Sequence, residues 1–444
     1  MTNIDKIKKF IVILSIILIN LNCGINTIYA HESISFKNIT INDGLSQGTV
    51  HTLLQDKQGR IWIGTDDGLN VYNGYEIKVY KYKENDPNSI ANGYILNLDE
   101  DKYGNIWVAT IGGVSKINLK ENKITNYYHG KDKGNLSDNN VYDILVTSDN
   151  KILLATSNGI DIYNEKTDQF SSLIEDKKLL SNKHIYEIEE DNQGNLWVGT
   201  KSGVDKIDIK TKEVENISIL NKGHNDITIY SVFFDNSKYI WIGTMQSGIF
   251  RIDIKTKEVK EYILDKASEE GATVRDMIID SRGDIWAASS QGLAKYEKNK
   301  DEFTLYKKDI YDANSLCDNM VNSIIEDKTG LLWIGTYSGI SIFDASNKVK
   351  HYKVNPSDPN SIASNMINGI YKDTQGLVWV GTNSEGLSVL DRENDKTYQL
   401  NINNGLSSNK VYDIKGKDNI IYISTKLTIF LKNEHFVYPE HKNK

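Results

Sequence analysis

Asp56-Lys-Gln-Gly-Arg-Ile-Trp-Ile-Gly-Thr-Asp-Asp-Gly-Leu69 decides the fold, because the phrase returns along the whole chain. It stands again at residues 101–114, 191–204, 235–249, 280–293, 327–340 and 373–387, and two weaker copies carry Leu153 and Tyr422 in place of Trp. The nine slots at 62, 107, 153, 197, 241, 286, 333, 379 and 422 lie 43 to 47 residues apart, and all seven tryptophans of the chain occupy this one position. A fixed period of that size is the signature of a repeat architecture.

Around each phrase the chain reads as short strands. Residues 321–326, 331–336, 339–344 and 349–354 are apolar or alternating runs of four to six residues bounded by Gly, Asn and Asp,. Apolar stripes at helical spacing are absent. Four strands in about 45 residues is the arithmetic of a propeller blade. The expectation is an all-β propeller of four-stranded antiparallel blades in a single ring of eight or nine blades. The alternative is a seven-bladed ring plus two blades of an unfinished second ring. Residues 36–41 resemble the fourth strand of a repeat, as at 398–402, so the first strand can complete the last blade and lock the ring,.

The first 30 residues are set aside from this division. Lys6, Lys8 and Lys9 precede an apolar run from Phe10 to Leu21, and Ile28-Tyr29-Ala30 follows. That layout predicts a signal peptide over 1–30, with an uncleaved anchor as the alternative. Residues 31–444 then form the propeller of about nine 45-residue repeats, exported or extracytoplasmic. The chain carries 52 Lys and Arg against 60 Asp and Glu, a net charge of −8. This disfavours nucleic acid and anionic membrane surfaces as partners and favours a neutral ligand. Two cysteines, Cys23 in the leader and Cys317, exclude a disulfide scaffold,.

Features shared by all blades serve the ring. Trp62, Trp107, Trp197, Trp241, Trp286, Trp333 and Trp379 are read as inter-blade packing. The Asp-x-x-Gly turns satisfy backbone donors, and the Thr or Ser three residues after Trp makes one recurrent local hydrogen bond. Function is expected where blades differ, on the face of the long crossovers. The second residue of each first strand reads His51, Leu96, Tyr142, Tyr186, Tyr230, Arg275, Asn322, Asn368 and Tyr412, and the next reads Thr52, Asn97, Asp143, Glu187, Ser231, Asp276, Ser323, Gly369 and Asp413. One of these rows is expected to rim the channel. Tyrosines beside carboxylates can stack on sugar faces and hydrogen-bond hydroxyls. The candidate ligand residues are thus His51, Tyr142, Asp143, Tyr186, Glu187, Tyr230, Arg275, Asp276 and Tyr412. The structural alternative is that the tyrosines pack between blades and the carboxylates solvate the channel.

Apparent catalytic motifs dissolve in context. Gly44-Leu-Ser-Gln-Gly48 matches a nucleophile elbow but lies in a crossover whose counterpart is Gly405-Leu-Ser-Ser408,. Cys317 occupies the repeat position of Ser46. The histidines show no zinc-binding spacing, and no Walker, dinucleotide or EF-hand loop occurs. The acidic runs 99–101 and 189–191 read as solvated turn residues. No cofactor, metal or enzymatic activity is expected.

The repeated phrase, with crossovers such as Gly44-Leu-Ser-Gln, resembles the two-component regulator propeller repeat. The resemblance implies an extracytoplasmic sensor of a small molecule or oligosaccharide, working with a membrane histidine kinase or diguanylate cyclase module, here on a separate chain. A lyase-like, metal-dependent propeller enzyme and a protein-interaction scaffold are the alternatives.

Overall fold

The computed structural model describes residues 34–130, 135–217, 227–235, 238–265, 267–268, 271–345, 352–356, 358, 360–392, 394, 396–417, 420–426 and 429–432. The expected leader, or anchor, at 1–30 lies outside them. The described residues fold as strands with two single-turn 3-10 helices, Ile41–Asp43 and Lys177–Leu179. The chain divides into two compact units, 34–349 and 350–444.

The first unit is a closed ring of seven blades. Blade 1 holds the strands Val50–Gln55, Ile61–Thr65, Gly68–Tyr72 and Ile77–Tyr80 in sequential antiparallel order, and blades 2 to 6 repeat the plan over 95–127, 141–172, 185–217, 229–262 and 274–306. Blade 7 takes three strands from 321–344, and its fourth is Lys37–Ile39, paired antiparallel with Gly339–Asp344 so that Lys37 faces Ile342 and Ile39 faces Ile340. The innermost strand of blade 1 lies against those of blades 2 and 7, which closes the circle.

This corrects the expectation of one ring with eight or nine blades: the seven-bladed alternative holds. The first strand does complete a blade, but the seventh and not the last, because Phe36 and Asn38 find their partners there. Phe36 stacks edge-on against Phe343 at 5.1 Å, and the Asn38 side chain donates to Ser315 O at 3.1 Å and accepts from the Ser341 hydroxyl at 2.7 Å. With that place taken, the strand expected over 349–354 has none to fill: 352–354 are not in a strand, and 349–351 lie outside the described residues.

The second unit contains two blades, one of four strands from Ile367–Lys372 to Lys396–Leu400 and one of three, Val411–Lys417, Ile420–Thr425 and Ile429–Lys432. Its core gathers Trp379, Leu387, Val389, Val411 and Ile414.

Local chemistry explains the repeat. The seven tryptophans are buried between blades, as expected. In the Asp-x-x-Gly turn, one oxygen of Asp56 accepts the Gln58 and Arg60 N–H groups at 2.9 and 3.0 Å. The hydroxyl three residues after each slot, Thr65, Thr110, Thr156, Thr200, Thr244, Ser289, Thr336 or Thr382, donates to the carbonyl of the following turn glycine at 2.7 to 2.9 Å. Gly68 takes φ 116°, which a side chain disfavours,. The glycine two residues after Trp has a different role, because there the next blade comes close: a Cβ on Gly64 would lie 2.6 Å from Ile95, and one on Gly335 2.7 Å from Val50 across the closing seam.

Candidate functional site

Each innermost strand of the ring carries an extra residue at its second position. In blade 1 Val50 pairs with Thr65 and Thr52 with Gly64, leaving His51 unpaired, and the same register shift occurs in every blade. A bulge of this kind re-aims a side chain. The unpaired row leans toward the crossover face: His51 meets Asp66 and Tyr142 meets Ser157, residues of the loops on that face, while the following row lies between the innermost strands of neighbouring blades, where Asp143 and Asp276 reach the next blade's backbone. Within the ring the two predicted rows therefore lie at two levels of its inner wall.

At the upper level an aromatic arc runs over blades 3 to 5. Tyr142 and Tyr186 have ring centroids 4.9 Å apart, and Tyr186 and Tyr230 5.0 Å. His184 stacks on Tyr186 at 5.7 Å, and its Nε2 lies 3.3 Å from the Tyr142 hydroxyl. Arg275 of blade 6 continues the arc with its guanidinium 5.3 Å from the Tyr230 ring. In blade 1, His51 stacks on Tyr94 at 4.8 Å and holds Asp66 through Nε2 at 2.5 Å. Burial lowers the pKa of His51, Asp66 opposes that shift, and Arg275 adds to it. His184 is lowered as well, first by burial and then by Lys201. Both imidazoles are therefore neutral at pH 7.

At the lower level the channel is acidic. Asp143 accepts the N–H of Ile188 in blade 4 at 2.8 Å, Asp276 that of Ile324 in blade 7 at 2.7 Å, and Asp99 that of Val146 in blade 3 at 2.7 Å. These carboxylates clip neighbouring blades together. Burial raises Asp99 and Asp276 to about 6 and Glu189 to about 8, with the other acids reinforcing the shift at Glu189. Burial raises Asp143 and Glu187 as well, with the charges of Asp99 and Asp276 adding to the first shift and those of Asp143 and Glu189 to the second. Asp99 and Glu189 are thus half-buried residues within innermost strands, which corrects their reading as solvated turn residues. Their neighbours Glu100 and Glu190 cross the seam on the opposite face, accepting the N–H groups of Lys57 at 2.8 Å and Ser148 at 2.6 Å.

Of the predicted residues, His51, Tyr142, Asp143, Tyr186, Glu187, Tyr230, Arg275 and Asp276 all stand at or just after the bulge on innermost strands of the ring. Tyr412 does not belong with them: it sits in the second unit, 47% exposed, with the Lys410 ammonium 5.2 Å from its ring. Tyr94, His184 and Asp66 were not among the candidates. Their signal was present in two further rows that differ among blades: the residue before each first strand, where Tyr94 and His184 stand, and the residue after the recurrent Thr, where Asp66 stands. Among the described residues no group of three His, Cys, Asp or Glu side chains could hold a metal ion.

Five segments, 44–67, 89–112, 179–202, 315–338 and 361–384, match the family model of the two component regulator propeller. Each runs from a crossover through the first two strands, the stretch that supplies both levels of the channel. Over 56 residues, 13% of this chain and 4% of the relative, the sequence is 46% identical to histidine kinase P4 of Formosa agariphila. The extracellular domain of a hybrid two component system from B. thetaiotaomicron superposes with TM-score 0.75 at 21% identity, covering 90% of this chain and 54% of that one. That of a one component system from the same organism gives TM-score 0.59 at 20% identity, covering 88% and 57%. The chain spans little more than half of these solved structures, and the likeness is one of fold.

Proposed function

We propose that this chain, a protein of two-component regulator propeller repeats, is the extracytoplasmic ligand-sensing part of a two-component-type system and that it binds an oligosaccharide without transforming it. The observation that carries this reading is the arc Tyr142, His184, Tyr186 and Tyr230, a run of contiguous rings at the mouth of the channel. Sugars present C–H faces that stack on aromatic rings and hydroxyls that hydrogen-bond to the edges. The arc supplies both, and the bulged strands hold it on a rigid scaffold. The output module it serves is a membrane histidine kinase or diguanylate cyclase. The apolar leader at 1–30 supports export, and no helix of the described residues is long and apolar enough to cross a membrane.

A glycan array followed by calorimetry tests the proposal. Tyr142→Ala and Tyr186→Ala are expected to weaken binding of the captured glycan at least about tenfold, a stacking contribution of about 1.4 kcal/mol, while the melting temperature stays close to wild type. An array on which no glycan binds at millimolar concentration overturns it.

A further inference from the structure

The same rim contains a charge that a neutral sugar does not use. Arg275 projects from the bulged position of blade 6, half-buried beside the tyrosine arc. Among the described residues its guanidinium has neither a hydrogen bond nor an ion pair, and the Tyr230 ring at 5.3 Å is its one charge-related contact. Its sequence neighbour Asp276 is occupied elsewhere, accepting the N–H of Ile324 in the next blade at 2.7 Å. Asp66, the carboxylate at the mouth, is held by His51 at 2.5 Å. The fork of five N–H donors is therefore pre-positioned and unspent, with one face packed against an aromatic ring.

We propose that Arg275 is the anchor for a carboxylate on the ligand, so that the sensed oligosaccharide contains a uronic acid residue. This rests on the sugar-binding reading of the arc and narrows it. Tyr230 and Tyr186 would receive the pyranose face while the carboxylate takes the guanidinium in bidentate fashion. The acidic lower channel then sets a direction. It repels the carboxylate from the depth of the ring and leaves it at the mouth, where the cation stands. The net charge of −8 favours a neutral ligand only when averaged over the surface; at the mouth Arg275 offers a cation with no ion-pair partner among the described residues.

The test compares uronate-containing oligosaccharides from pectin, alginate and heparosan with the same oligosaccharides after reduction of their carboxyl groups to hydroxymethyl, and with sulfated neutral oligosaccharides. Titration calorimetry on the full chain is expected to show at least one uronate oligosaccharide binding about tenfold or more tighter than its reduced partner. Arg275→Met is expected to remove that preference, so that the variant binds the acidic and reduced forms equally. Arg275→Lys, which keeps the charge and loses the fork, is expected to fall between. Equal affinity for the acidic and reduced forms, or an Arg275→Met protein that keeps the preference, overturns the anion anchor while the neutral-sugar reading stands. Binding of sulfated oligosaccharides alone overturns the carboxylate. Failure of every sugar overturns both readings.

Discussion

The second carboxylate oxygen of Asp56 accepts the indole N–H of Trp62 at 2.8 Å, joining the turn before the second strand to the largest side chain within it. The pair recurs as Asp101 with Trp107 at 3.0 Å, Asp191 with Trp197 at 3.1 Å, Asp280 with Trp286 at 2.9 Å, Asp327 with Trp333 at 2.8 Å and Asp373 with Trp379 at 2.8 Å. One carboxylate thus closes the turn with one oxygen and satisfies a buried indole with the other. Replacing Asp280 by Ala orphans the Trp286 N–H and two turn amides at once. The expected cost is about 2 to 4 kcal/mol in chemical denaturation, comparable to the roughly 3 to 5 kcal/mol expected for Trp286→Ala. A loss below about 1 kcal/mol for Asp280→Ala would show that the pair is incidental.

Trp241 breaks the pattern. Among the described residues its buried indole nitrogen has no hydrogen-bond partner, and the Arg251 guanidinium lies 5.4 Å from its ring centroid. Trp241→Phe discards an unsatisfied donor, whereas Trp286→Phe discards a made bond. The first is expected to be less destabilising than the second by about 1 to 2 kcal/mol, read from the two urea midpoints. Equal losses would contradict the distinction.

Ring closure depends on a three-residue strand. Ile39 is buried against Ile340 and Ile342, so Ile39→Asp places a charge in the seam between blades 7 and 1. A drop of at least about 3 kcal/mol is expected, with proteolysis beginning at the exposed edge of 339–344. A variant as resistant as wild type would mean that the ring closes without this strand.

The channel acids predict a pH effect. Glu189 is raised to about 8 from 4.5 by burial, so the folded ring binds its proton more readily than the unfolded chain does, and its contribution to stability is lost as pH rises from about 4.5 through 8,. His51 and His184, lowered from 6.5, act in the opposite sense, so the single substitution gives the cleaner measurement. Glu189→Gln is expected to stabilise the protein at pH 9 by at least about 1 kcal/mol and to be near neutral at pH 5. Equal effects at the two pH values would place Glu189 in water.

Much of this was legible in the sequence, and more could have been read. Every Trp follows an Asp by six residues, and the two copies without Trp have Thr147 and Gly416 in place of that Asp, so the indole pair was written as a co-variation inside one chain. The blade count within the ring was not legible. Residues 36–41 announce a fourth strand, but its partner is chosen by side-chain fit to Phe343 and Ser341, and three-dimensional neighbours have no mark in a periodic pattern. The upper and lower levels of the channel were also hidden, because the bulge at His51 and its equivalents breaks the alternation that would place successive side chains on opposite faces,. Tyr412 shares the repeat position of Tyr142 and so could not be told from it by position alone.

The bond between Asn38 and Ser341 spans 303 residues. Six blades can build up from neighbouring segments, but the seventh waits for a strand made at the other end of the ring. Until then Lys37–Ile39 is an unpaired strand and Gly339–Asp344 an open edge. Closure is therefore a late event of high contact order, and its loop entropy is met by three residue pairs and one phenylalanine,.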